Sequence, residues 1–179
     1  MKKIETRNDL IQTFGKQLII CEIGVFKGEF SKILFETLNP KELHLIDIFE
    51  GDAGSGDKDG NNMSFTNLEK EYHNLKEYFN KNSNVFLHKG KSYDILEKFD
   101  NNYFDIIYID GDHTYDGVKL DLQISYEKVK NGGYICGHDY TTRFEGVIRA
   151  VNEFCSEKNL IIDSITKDGC PSFLIINNK

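Results

Sequence analysis

Short apolar runs alternate along the chain with longer segments in which apolar residues recur at helical spacing, the pattern of a parallel sheet covered by helices on both faces. The first strand is predicted over residues 17–23. A helix over Glu29–Leu38 follows, because Phe30, Ile33, Leu34 and Leu38 fall at i, i+3, i+4 and i+8, and Pro40 closes it. Strands are predicted over 43–48 and 84–88. Between them lie a polar, glycine-rich loop and a helix from about 66 to 80, for which Thr66 and Glu69 form a candidate capping box.

The run Phe104-Asp105-Ile106-Ile107-Tyr108-Ile109-Asp110 is nearly continuous in its apolar character, so it is placed at the centre of the sheet. A helix over about 115–130 ends at Asn131-Gly132-Gly133, read as a cap and turn, before a strand at 134–137. Residues 144–158 are read as another helix, with Val147, Ile148, Val151, Phe154 and Cys155 on one face. Strands at 160–165 and 172–176 are joined by only six residues, too few for a helical crossover, so they are expected to be antiparallel. The expectation is a doubly wound, mostly parallel α/β sheet of seven strands ending in an antiparallel hairpin.

A length of 179 residues suits a single domain over 1–179. The charge balance of 22 basic against 29 acidic residues, a net −7, argues against a nucleic-acid duplex or an anionic membrane as main partner. Cys21, Cys136, Cys155 and Cys170 have no C-x-x-C spacing and two lie in apolar runs, which points to free thiols in a reducing setting. Met1-Lys2-Lys3-Ile4-Glu5 lacks the apolar stretch of a signal peptide, and no run approaches the ~18 apolar residues of a membrane span. A cytoplasmic location is expected.

In an open α/β sheet ligands bind beyond the carboxyl ends of the strands, so chemistry is sought where each apolar run stops. Gly24 and Gly28 bracket the first strand-to-helix turn, where backbone can approach a ligand. Their Gly-x-x-x-Gly spacing differs from the G-x-G-x-x-G of dinucleotide sites, and the preceding Glu22 would repel a pyrophosphate; a cationic or neutral ligand group suits the loop better. Asp47 ends the second strand, where a carboxylate can accept both hydroxyls of a ribose. Nucleoside binding follows as the expectation.

Four segments carry a specific resemblance: Glu22-Ile-Gly-Val-Phe-Lys-Gly28, Leu45-Ile-Asp47, Tyr108-Ile-Asp-Gly-Asp-His-Thr-Tyr-Asp-Gly-Val118 and Gly132-Gly-Tyr-Ile-Cys-Gly-His-Asp-Tyr140. Together they resemble the class I S-adenosylmethionine-dependent methyltransferases, in particular the small branch acting on sugars and natural products, with catechol O-methyltransferases more distant. The resemblance implies a Rossmann-like methyltransferase fold and an S-adenosylmethionine site. It implies Gly24 and Gly28 along the methionine moiety, Glu22 and Asp110 near its amino group, Asp47 on the ribose and Ser92 near the adenine.

It also implies, for metal-using relatives, a cation (Mg2+, Mn2+ or Ca2+) on Asp110, His138 and Asp139, with Asp112 as substitute or supporting acid. His138 departs from the acid usual there, and a metal-free site stands beside this reading. An attacking hydroxyl must lose its proton, so a base is needed; His113, just past the central strand, is the candidate, with Asp110 as the second catalytic residue. The acceptor is expected to be a small hydroxylated molecule, a sugar being one option. Acceptor recognition falls to the 51–62 loop, read as a lid and not an EF-hand because Asn62 and Leu68 occupy the glycine and glutamate positions, to the 141–145 loop, or to a neighbouring subunit of a homo-oligomer. N-methylation would need much the same site. The competing classes are a non-catalytic nucleoside-binding module and a nicotinamide-dependent dehydrogenase.

Overall fold

The computed structural model describes residues 1–55 and 64–179. In chain order the elements are β1 (Lys2–Ile4), α1 (Arg7–Gln12), β2 (Ile19–Ile23), α2 (Glu29–Leu38), β3 (Glu42–Asp47), β4 (Asp52–Ser55), β5 (Ser64–Asn67), α3 (Leu68–Tyr78) and β6 (Val85–Lys89). They continue with α4 (Ser92–Leu96), β7 (Phe104–Ile109), α5 (Tyr115–Lys128), β8 (Val129–Gly137), a 3-10 turn Thr142–Phe144, α6 (Glu145–Lys158), β9 (Ile162–Thr166) and β10 (Phe173–Ile176).

Among the described residues the main sheet has eight strands in the order β1-β9-β10-β8-β7-β2-β3-β6, one more than the seven expected. The addition is β1, which pairs in parallel with β9 at the edge; three residues with Ile4 as their one apolar member leave no period to read. The remaining strands match the expectation: β8, β7, β2, β3 and β6 are parallel, and β10 runs antiparallel to both β8 and β9.

Alternation along each strand fills two cores. Cys21, Ile23, Ile107 and Ile109 face Val118 and Leu122 of α5 and Val147, Val151 and Phe154 of α6. Ile20, Leu43, Leu45, Ile106 and Tyr108 face Leu10 of α1, Phe30 and Leu34 of α2, and Leu75 of α3. The period of two that sends Ile20 to the second face sends Glu22 there as well.

Two local expectations are corrected. Thr66 does not cap α3: it pairs with Ala53 in the β4–β5 hairpin, which carries the strand on to Asn67, and the Asn67 side chain accepts from the Lys70 N–H at 2.8 Å. Asn131-Gly132-Gly133 is not a break before a separate strand but an irregularity inside β8, where the register with β7 jumps from Phe104↔Val129 to Ile106↔Tyr134. The turn there is held by Gly132 N–H to Asn177 O and Asn177 N–H to Gly133 O, both 2.8 Å. The lid reading falls on the 51–62 loop, of which residues 56–62 lie outside the described residues.

The parallel register places the functional strand ends side by side. Ile23 is opposite both Ile46 and Ile109, and Ile109 is opposite Gly137. The ladder carries on past the strands through Gly24 N–H to Ile46 O (2.9 Å), Asp110 N–H to Ile23 O (2.7 Å) and His138 N–H to Ile109 O (3.0 Å).

Candidate active site

These strand ends form one wall of a cavity of about 920 Å³, at the upper end of the size range for small-molecule sites. Glu22, Gly24, Asp47, Ser92, Asp110 and His113 all line it. Gly28 lies beneath the loop, as the left-handed N-cap of α2 at φ 71°, and a side-chain carbon there would strike Leu75.

Gly24 sits at φ 86°, where a Cβ would stand 2.1 Å from the Asp110 carbonyl oxygen. The loop after β2 therefore presses against the chain leaving β7, and only glycine permits that approach. Asp47 fastens the same loop. Its Oδ2 accepts from the N–H groups of Val25 (2.8 Å) and Phe26 (2.9 Å), and its Oδ1 accepts from Phe49 N–H (2.9 Å). Phe26 (φ 53°) and Phe49 (φ 45°) are both left-handed, a costly conformation for aromatic residues that these bonds help to hold. Asp47 thus has a loop-building role that sequence reasoning, which assigned it a ribose, did not see.

Glu22 is buried, and its carboxylate accepts from the Ser31 hydroxyl of α2. Burial pushes its pKa up from 4.5 to about 8; Asp110 and Asp47 push the same way, while the Ser31 bond and Arg7 oppose. Between pH 4.5 and 8 the folded protein therefore keeps a proton that the unfolded chain has released, so stability falls as pH rises through that window. Glu22→Gln, which preserves an acceptor for Ser31, should flatten this slope in melting-temperature measurements from about pH 5 to about pH 8.5. An unchanged slope would remove Glu22 as its source.

Ser92 opens α4 and donates to Asp121, a buried acid of α5 whose pKa burial raises to about 6. Exposed Ile48 and Leu120 flank this end of the cavity and provide apolar surface. Asp112 does not join the other acids: its Oδ1 accepts from Thr114 N–H at 2.8 Å, finishing the entry to α5, and the side chain is exposed.

The acids after β7 and β8 form an ion-pair network. His138 Nδ1 lies 3.5 Å from Asp110 Oδ1 and 3.5 Å from Asp139 Oδ1. Burial alone would lower the His138 pKa, but the two carboxylates outweigh it and raise it to about 9. His113 Nε2 approaches Asp139 Oδ2 at 2.6 Å, within ion-pair distance but without hydrogen-bond alignment, and its ring stacks on Phe144 at 4.6 Å. The Asp139 contact, against the opposing effect of burial, raises the His113 pKa above its ordinary value. Asp139, held at φ 58°, is driven well below the carboxylate range: burial opposes this, and the two histidines prevail.

Arg7, which sequence reasoning passed over, approaches the other side of Asp110 at 3.4 Å. Its one available signal was Thr6-x-x-Asp9, which does form a capping box at the start of α1.

This geometry tests the metal expectation. Asp110, His113 and Asp139 each offer a donor atom within 4.8 Å of one another. Yet Arg7 and the protonated His138 already set two cationic groups against the two carboxylates, and an imidazolium has no lone pair to give. Mg2+ and Ca2+ also favour sets of six or more oxygens. The expected trio of Asp110, His138 and Asp139 does not fit a divalent cation as it stands. The methyl transfer implied by the resemblance should therefore persist in excess chelator; loss of turnover on chelation, restored by one added metal, would reverse this assignment.

Comparison with known proteins agrees with the fold and the glycine loop. Residues 21–140 match a family described as a methyltransferase domain. The uncharacterized protein R132 of Acanthamoeba polyphaga mimivirus is 34% identical over 138 residues, covering 74% of this chain and 56% of that protein, so the chain spans about half the length of that curated relative. Among solved structures, the O-methyltransferase NovP superposes with a TM-score of 0.66 at 17% identity, covering 90% of this chain and 72% of NovP. The N-methyltransferase NodS from Bradyrhizobium japonicum WM9 gives 0.65 at 16%, covering 97% and 95%. At such identities the likeness is one of fold. The family match, spanning both the loop after β2 and the acids after β7 and β8, shows that the chain belongs to the methyltransferase-domain family.

Proposed function

We propose that the enzyme methylates a hydroxyl of a small acceptor and that it does so without a metal. The observation that carries this reading is the His113–Asp139 contact at the wall of the cavity, beside the Gly24–Asp110 junction. When bound, S-adenosylmethionine supplies a methyl group on a positively charged sulfur, open to in-line displacement by an acceptor oxygen.

The chain's own residues divide the work. Asp47 and Gly24 shape the loop along the cofactor, with Asp47 reaching the ribose through the lone-pair site on Oδ1 that its three backbone bonds leave open. Asp110 provides negative charge for the amino end, with Glu22, which keeps its proton near neutral pH, beside it as an oxygen acceptor. Ser92, Ile48 and Leu120 bound the adenine side. His113 in its neutral form takes the acceptor's proton, and Asp139 stabilises the resulting imidazolium. The setting proposed is cytoplasmic, consistent with buried Cys21, Cys136 and Cys155 and a cysteine set with no disulfide. No helix among the described residues is long and apolar enough to cross a membrane.

The test is incubation with S-adenosylmethionine labelled at the methyl group and a panel of small alcohols, phenols, sugars and amines. Label in a hydroxylated acceptor is expected. Label only in amines would overturn O-methylation, and cofactor binding with no turnover on any acceptor would favour a binding module.

A further inference from the structure

Arg7 is held more firmly than its place near the start of the chain suggests. Its backbone N–H donates to Asp168 Oδ2 at 2.9 Å, in the connection between β9 and β10. Just before it, Lys2 to Ile4 pair with Ser164 to Thr166. Its guanidinium carbon lies 4.3 Å from the centre of the Phe30 ring, so the fork is stacked on an aromatic face.

Against this preparation the guanidinium is underused. Among the described residues its single hydrogen bond is the one to Asp110 Oδ2, and at 3.4 Å that bond is long. The side chain is 28% exposed and lines the large cavity alongside Glu22 and Asp110. A guanidinium carries five N–H donors in a planar fork that matches a carboxylate. A cationic fork beside the Asp110 carboxylate is a complementary setting for a zwitterion.

We propose that Arg7 binds the α-carboxylate of the cofactor's methionine end, while the Asp110 carboxylate receives its α-ammonium group. This rests on the cofactor placement given above. Lys27 and Lys91 also line the cavity, but neither is packed against both the aromatic face of α2 and an acid at the end of β7.

The experiment compares S-adenosylhomocysteine with its decarboxylated analogue by calorimetry, on the wild type, Arg7→Met and Arg7→Lys. The wild type should prefer the intact ligand by roughly 10- to 100-fold, the range for a charge-assisted, bidentate contact. Arg7→Met should lose that preference while its affinity for the analogue stays unchanged. Arg7→Lys, which keeps the charge and loses the fork, should show an intermediate preference and carries the test if the methionine variant melts early. Equal weakening of both ligands would mean that Arg7 acts only through Asp110 and would overturn the proposal, as would no weakening of either. Failure of the wild type to bind either ligand would instead strike the cofactor placement itself, and the proposal with it.

Discussion

Gly24→Ala should abolish detectable S-adenosylhomocysteine binding and lower stability by at least ~2 kcal/mol, because two separate penalties fall on one atom. The residue sits at φ 86°, where an L side chain is strained, and the added Cβ would lie 2.1 Å from the Asp110 carbonyl oxygen and 2.4 Å from its carbon. Neither neighbour is a flexible side-chain end that could swing aside. Relief requires the loop after β2 to separate from the chain leaving β7, which breaks the Asp110 N–H bond to Ile23 O or the Asp47 bonds to Val25 and Phe26. Gly15 provides the control, since a Cβ there meets nothing within 4 Å. Calorimetry and thermal melting on both variants check the expectation, and a Gly24→Ala protein that binds like the wild type would show that this junction is not part of the cofactor site.

Loss of the His113 imidazole should act on a different quantity. His113→Ala is expected to reduce turnover by ~10²- to 10⁴-fold with little change in cofactor affinity, the range for loss of a positioned general base. The pairing with Asp139 sharpens the prediction. Because that contact raises the His113 pKa, the imidazole holds its proton to higher pH than a free one and must lose it before it can act as a base. Turnover should therefore climb with pH through a midpoint above the ordinary 6.5. In Asp139→Asn the midpoint should move down toward 6.5, because the charge that holds the proton is gone. A merely structural His113, packed on Phe144, would instead lower stability and cofactor binding together while each folded molecule kept most of its rate.

Much of this site could be read from the sequence because the parallel register aligns the strand ends. Once strands ending near Ile23, Asp47 and Ile109 are predicted, the residues just beyond them must be neighbours. The α2 boundaries were legible because Phe30, Leu34 and Leu38 repeat on one buried face. What escaped had no period or depended on long-range pairing. Strand β1 is three residues long, α1 buries only Leu10 and Ile11, and α4 only Ile95 and Leu96. Missing β1 and α1 meant missing Arg7, which reaches Asp110 across 103 positions of sequence. The metal expectation finds no support for a related reason: composition at strand ends shows how many acids are present, but not that two histidines and an arginine are folded against them.

The central claim is that the cofactor occupies the cavity between the loop after β2 and the ends of β3 and β7. A crystal structure of the protein soaked with S-adenosylhomocysteine tests it most directly. The account predicts ligand density with the ribose at Asp47, the adenine between Ile48 and Leu120 near Ser92, and the sulfur beside the Gly24–Asp110 junction within reach of His113. Density elsewhere on the molecule, or a ribose away from Asp47 with the methionine end turned away from Glu22 and Asp110, would contradict it.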